Sequence, residues 1–105
     1  MKRWKNYING EWTTASHKIL NVVNPFTEKK IAEVADSNER DVELAVVVAR
    51  KAFEKWRETI PGERALLFLK LADLLQQEKP RLAKIESEQQ GKTIALANLD
   101  IEFSI

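Results

Sequence analysis

The spacing of hydrophobic positions changes once along this chain. Through residues 6–35 apolar side chains come in short runs divided by turn formers. Asn9-Gly10 is the strongest turn signal, because both residues tolerate positive φ. It predicts a hairpin joining Tyr7-Ile8 to Glu11-Trp12-Thr13. Ile19 to Val23 is rich in β-branched residues and predicts a second extended piece. Pro25 closes it, since proline lacks an N–H donor and restricts Asn24 before it. Lys30-Ile31-Ala32-Glu33-Val34 predicts a third, with imperfect alternation that puts Ile31 on the side of Glu33.

From Asn38 onward the period is helical. Asn38 is a good N-cap, and Asp41 places a carboxylate near the helix start. Val42, Ala45, Val46, Ala49, Phe53 and Trp56 then form one apolar stripe, predicting a helix over 39–57 with that stripe as core. Pro61 suits the first turn of the next helix. Leu67, Leu71, Leu74 and Leu75 give that helix one face, widened by Leu66, Phe68 and Ala72. So wide a face implies contact on two sides: the helix is central to its domain, or part of its face awaits further chain. Pro80 predicts the start of another helix, with Leu82, Ile85 and Gln89 as a weaker stripe. Gly91 is placed to stop it in a left-handed conformation. A last pattern runs from Ile94 through Ala97 and Ile101 to Ile105 without a stop signal, so the sequence reads as ending in mid-pattern. The expectation is short strands and turns over 6–35, then three to four α-helices over 38–105, with 1–105 forming part of one domain.

Composition narrows the function classes. The 105 residues suffice for one domain, and 44% hydrophobic with 31% charged residues is a globular composition. A net charge of +1 gives no strong field for nucleic acid or an acidic membrane. Lys2, Arg3 and Lys5 lie near Trp4, Tyr7 and Trp12, which could stack on a base, but no RNA-binding motif surrounds them. A nucleic-acid module is therefore the least favoured of three readings. There is no cysteine, which removes disulfides and thiolate chemistry within this span. Met1-Lys2-Arg3 is not followed by a signal-peptide apolar run, and the apolar stretch over 66–75 is broken by Lys70 and Asp73. A cytoplasmic location without membrane contact follows by exclusion.

Candidate chemistry is sparse. Gly10, Gly62 and Gly91 are isolated, with no GxGxxG or P-loop spacing to cradle phosphate. His17 is the sole histidine, flanked by Ser16 and Lys18, and reads as an exposed loop residue without a zinc ligand set. Glu86 and Glu88 are two apart on a helix, point to different faces and read as solvated surface. Lys92 could hold an anion or favour a helix C-terminus. Asp100 lies close to an apolar stripe, and a partly buried carboxylate wants a cation or a donor.

In their order and spacing, the segments resemble the N-terminal part of the NAD(P)-dependent aldehyde dehydrogenase superfamily. The likeness rests on Tyr7-Ile8-Asn9-Gly10-Glu11-Trp12, Val23-Asn24-Pro25-Phe26-Thr27, Ile31-Ala32-Glu33-Val34-Ala35 and Ala45 through Phe53-Glu54-Lys55-Trp56. It continues with Glu63-Arg64-Ala65, Leu71-Ala72-Asp73-Leu74-Leu75, Glu86 and Gly91-Lys92-Thr93. It covers the chain from residue 6 onward. Two departures stand out: the family often has glycine after Thr27, where this chain has Glu28, and proline after the Gly-Lys pair, where it has Thr93.

The resemblance implies an α/β fold of which this segment is an incomplete part of the cofactor-binding domain. Family members oxidise an aldehyde to a carboxylic acid with NAD or NADP. A cysteine thiolate adds to the carbonyl, hydride passes to nicotinamide, and a glutamate helps water cleave the thioester. Those groups and the cofactor turns lie beyond the matched region. No residue here is assigned a catalytic or cofactor role, and the chain alone is expected neither to turn over aldehydes nor to bind NAD tightly. It reads as an N-terminal fragment of such an enzyme. Some relatives bind a monovalent cation, Na+ or K+, through backbone oxygens just before the Asn-Pro pair and through an acid in the last matched helix; here that implies the backbone of Val22 or Val23 and the side chain of Asp100. Asn98-Leu99-Asp100 is similar to aminoaldehyde and betaine-aldehyde enzymes. Implied partners are the remainder of the enzyme chain, if separately encoded, and further copies, full-length relatives being homo-oligomers. The main rival is a helical interaction module using the face over 66–75.

Overall fold

The computed structural model describes residues 2–13 and 18–105, so His17 and Ser16 lie outside the described residues. The chain forms two compact units, Met1–Val22 with Lys30–Thr59, and Val23–Lys29 with Ile60–Ile105.

The first unit holds β1 (Lys2–Trp4), β2 (Asn6–Ile8), β3 (Glu11–Thr13), β4 (Ile19–Val23, whose last residue opens the second unit), β5 (Lys30–Ala35) and α1 (Glu39–Trp56). β2 and β3 form the expected hairpin, with Tyr7 opposite Trp12 and ring centroids 5.0 Å apart. Asn9 (φ 55°) and Gly10 (φ 77°) both adopt the left-handed conformation that a two-residue turn demands. A three-stranded sheet runs in the order β1-β5-β4.

β1 is absent from the sequence expectation. Its parallel pairing sets Lys2, Arg3 and Trp4 opposite Ala32, Glu33 and Val34, about thirty positions on. The basic start is thereby engaged within the unit. Arg3 pairs with Glu33 at 2.8 Å, and the Lys2 ammonium lies 3.8 Å from the centre of the Trp4 ring. Lys30 joins Glu33 at 2.6 Å. Hydrogen bonds from Lys30 and then Arg3 hold the Glu33 carboxyl below its usual range.

α1 starts as the sequence predicts, with a reciprocal capping box. The Asn38 side chain accepts from the Asp41 N–H at 3.0 Å, and the Asp41 carboxylate accepts from the Asn38 N–H at 3.0 Å. The predicted stripe is present but is not core within this chain, because Val42 and Phe53 are more than half exposed. Instead, an open groove of about 510 Å³ runs along Ala49, Ala52, Phe53, Lys55, Trp56 and Thr59.

The second unit holds α2 (Pro61–Gln90), α3 (Ile94–Ser104) and the turn over 24–29. α2 is one helix of 30 residues, which corrects the expectation that Pro80 begins a new one. Proline there removes one helical hydrogen bond, and the packing of α2 on α3 outweighs the loss. Ala83 on α2 and Ala97 on α3 are fully buried, and the two helices pack on one another. Among the described residues the helices therefore number three. Gly91 ends α2 at φ 73°, its N–H donating to the Ser87 carbonyl at 2.9 Å. The Thr93 hydroxyl caps α3 by accepting from the Leu96 N–H at 3.3 Å.

In the turn, the Asn24 side chain accepts from the N–H groups of Phe26 (2.9 Å) and Thr27 (3.2 Å). Glu28 sits at φ 58° and donates its N–H to the Asn24 carbonyl at 2.8 Å. The position where the resembled family often carries glycine is thus one whose backbone favours glycine.

Candidate functional site

The densest gathering of sequence-singled residues is the corner where α2 turns into α3. Gly91 makes it close. Its left-handed backbone reverses the chain, and a side chain there would put a Cβ only 2.8 Å from Cγ of Pro25. The corner therefore presses directly on the turn over 24–29.

Lys92, immediately after the reversal, folds back between two carboxylates. Its ammonium donates to Glu86 on α2 at 2.9 Å and to Asp100 on α3. The Ser87 hydroxyl donates to the Lys92 backbone carbonyl at 2.7 Å. Lys92 and Glu86 are mostly covered, whereas Asp100 is half exposed. The bond to Asp100 first, and that to Glu86 second, raise the Lys92 pKa above its ordinary value of 10.5. An ammonium held between two carboxylates is a clasp across the end of one helix, the loop and the next helix. It offers neither a free amine nucleophile nor an unpaired general base.

Expectation and structure differ residue by residue. Glu86 is not the solvated surface group its spacing suggested; it carries one arm of the clasp. Glu88 makes only a distant i,i+4 approach to Lys84 at 3.9 Å. Lys92 favours no free anion, because protein carboxylates already take it. Asp100 finds its cation in Lys92. Val22 is half-buried near the end of β4 in the first unit, while Val23 and Asp100 belong to the second. Among the described residues no three of histidine, cysteine, aspartate and glutamate are grouped to hold a metal. The clasp was missed as a unit because Glu86 and Asp100 lie fourteen positions apart. The available signal was a lysine directly after a helix-stopping glycine, with an acid upstream and another downstream.

Gly10 is spent on the hairpin turn, Gly62 on the first turn of α2, and Gly91 on contact with Pro25. The α1 groove is lined by apolar groups, Lys55 and Thr59, without an acid–base pair.

Comparison with known proteins places this geometry. The profile of the Aldehyde dehydrogenase family matches residues 12–105. An aldehyde dehydrogenase of Emericella nidulans is 43% identical over 101 residues, covering 94% of this chain and 20% of its own. Among solved structures, aldehyde dehydrogenase from Bacillus cereus superposes with a TM-score of 0.90 at 39% identity, covering 95% of this chain and 21% of that one. Betaine aldehyde dehydrogenase from Staphylococcus aureus, in complex with NAD+, superposes with a TM-score of 0.89 at 28% identity, covering 93% and 20%. Relatives named cytosolic and mitochondrial both occur. The chain spans about a fifth of the length of the curated relatives it matches.

Proposed function

This chain belongs to the aldehyde dehydrogenase family and corresponds to its N-terminal segment, and we propose that it serves as a supporting part of an NAD(P)-dependent aldehyde-oxidising enzyme. In this reading residues 1–105 brace the cofactor-binding domain and leave bond-making to residues outside the matched segment. The observation that carries it is the clasp: the titratable groups gathered at the α2–α3 corner are paired with one another, so the corner fixes geometry. NAD or NADP is the cofactor of the whole enzyme. The substrate is an aldehyde, with betaine aldehyde and aminoaldehydes as first choices, and the compartment is the cytoplasm. Homo-oligomers belong to the same proposal. So does a Na+ or K+ site at Val22, Val23 and Asp100, where the ion would have to replace the Lys92 ammonium on Asp100.

The test is a graft. Residues 12–105 replace the equivalent segment of the Emericella nidulans enzyme, and NADH formation is followed with small aldehydes. Retained turnover supports the supporting role. A folded graft without turnover defeats it.

A further inference from the structure

The hairpin of the first unit carries a reactive pair that its turn geometry leaves unengaged. Asn9 is followed directly by Gly10, and both are exposed and have positive φ. Ile8 pairs with Glu11 across the turn, so the strand ladder stops short of these two residues. Among the described residues no hydrogen bond holds the Asn9 side-chain amide or the Gly10 N–H. Nothing crowds them either: a side chain at Gly10 would meet no atom within 4 Å. A peptide nitrogen is a weak nucleophile, but closing a five-membered ring onto the neighbouring amide makes its attack intramolecular. Glycine, without a Cβ, obstructs that approach least.

The other asparagines are each held back. Pro25 after Asn24 has no N–H to give up, and the Asn24 side chain already accepts from Phe26 and Thr27. Asn38 is tied into the capping box of α1. Asn6 donates to Ser37 at 2.7 Å and precedes the bulky Tyr7. Asn21 in β4 and Asn98 in α3 precede Val22 and Leu99 inside regular elements.

We propose that Asn9-Gly10 is a self-modification site, at which the exposed hairpin turn exchanges an asparagine amide for a carboxylate with water as co-reactant. The Gly10 nitrogen adds to Cγ of Asn9. The new N–Cγ bond forms, the Cγ–Nδ2 bond breaks, and ammonia leaves with the Gly10 proton. Water then opens the succinimide ring at either carbonyl and restores the Gly10 N–H. Opening at Cγ gives aspartate, and opening at the backbone carbonyl gives isoaspartate, whose chain runs through Cγ. No electrons are exchanged. Either product takes one from the net charge of +1. Aspartate tolerates the left-handed turn as asparagine does, so it keeps the hairpin. Isoaspartate adds a backbone carbon to a two-residue turn, which breaks the register of Ile8 with Glu11 and parts Tyr7 from Trp12. This chemistry is independent of the supporting role, and each can fail without the other.

The test ages the 105-residue chain in mildly alkaline buffer made with heavy-oxygen water, followed by digestion and sequencing by mass spectrometry. Label is expected at Asn9 ahead of Asn6 by about tenfold, a barrier difference of about 1.4 kcal/mol. No label at Asn9, or comparable labelling of Asn6, overturns the site. The isoaspartate form is then isolated, and its nuclear Overhauser spectrum is compared with those of the unaged chain and of Asn9→Asp. Cross-peaks between the Tyr7 and Trp12 rings are expected in the latter two and lost in the isoaspartate form. Cross-peaks that persist there, or that are missing from the unaged chain, overturn the effect on the hairpin.

Discussion

The two ends of α2 pose opposite problems. At its C-terminal end the helix meets what its sequence calls for: Ala83 is buried near α3, Gly91 presses on Pro25, and Lys92 closes a charge clasp. A few turns earlier the same helix exposes leucines on every side. The first region has its side chains partnered, and the second leaves them exposed. A helix can therefore be well formed along its whole length while only part of its side-chain surface is satisfied. Backbone hydrogen bonding is local, whereas apolar burial needs whatever chain is nearby.

The contrast breaks most sharply at Leu71. In the free chain Leu71→Ala should cost below about 1 kcal/mol, because half of the side chain is already wet. In the grafted enzyme it should cost about 2–5 kcal/mol, the range for a leucine removed from core. Thermal melts of both pairs decide, and equal costs would erase the distinction between the two regions.

Gly91→Ala tests the completed end. The left-handed backbone and the 2.8 Å approach to Pro25 should together cost about 2–4 kcal/mol, already in the free chain. A neutral melt would mean that the corner yields easily.

Lys92→Met gives the smallest and most conditional effect. The Lys92 pKa is raised in the folded chain, so its contribution is fully present below pH 10.5 and fades as pH climbs through the raised value. Wild type should be the more stable at pH 8, and the gap should close in strongly alkaline solution. A gap independent of pH would assign the loss to packing instead of charge.

Legibility in the sequence followed the range of each interaction. The Asn9-Gly10 hairpin, the Asn38 cap with its nearby Asp41 and the Gly91 stop are decided by residues within four positions, and each appears where the pattern put it. β1 was unreadable because Lys2-Arg3-Trp4 becomes a strand only through partners at 32–34. Pro80 misled because local propensity argues for a break there, while contacts to α3 keep the helix running. The clasp escaped for the same reason: its three charges converge only after the chain reverses at Gly91. The α1 and α2 stripes were rightly seen as apolar, but periodicity reports that a face wants burial and not whether the burying chain is at hand.

The most direct measurement is NADH formation by the pure 105-residue chain with a panel of small aldehydes. The account predicts no turnover above the protein-free rate, since it leaves bond-making and cofactor binding to residues outside the matched segment. Sustained NADH production that co-purifies with the chain would contradict it.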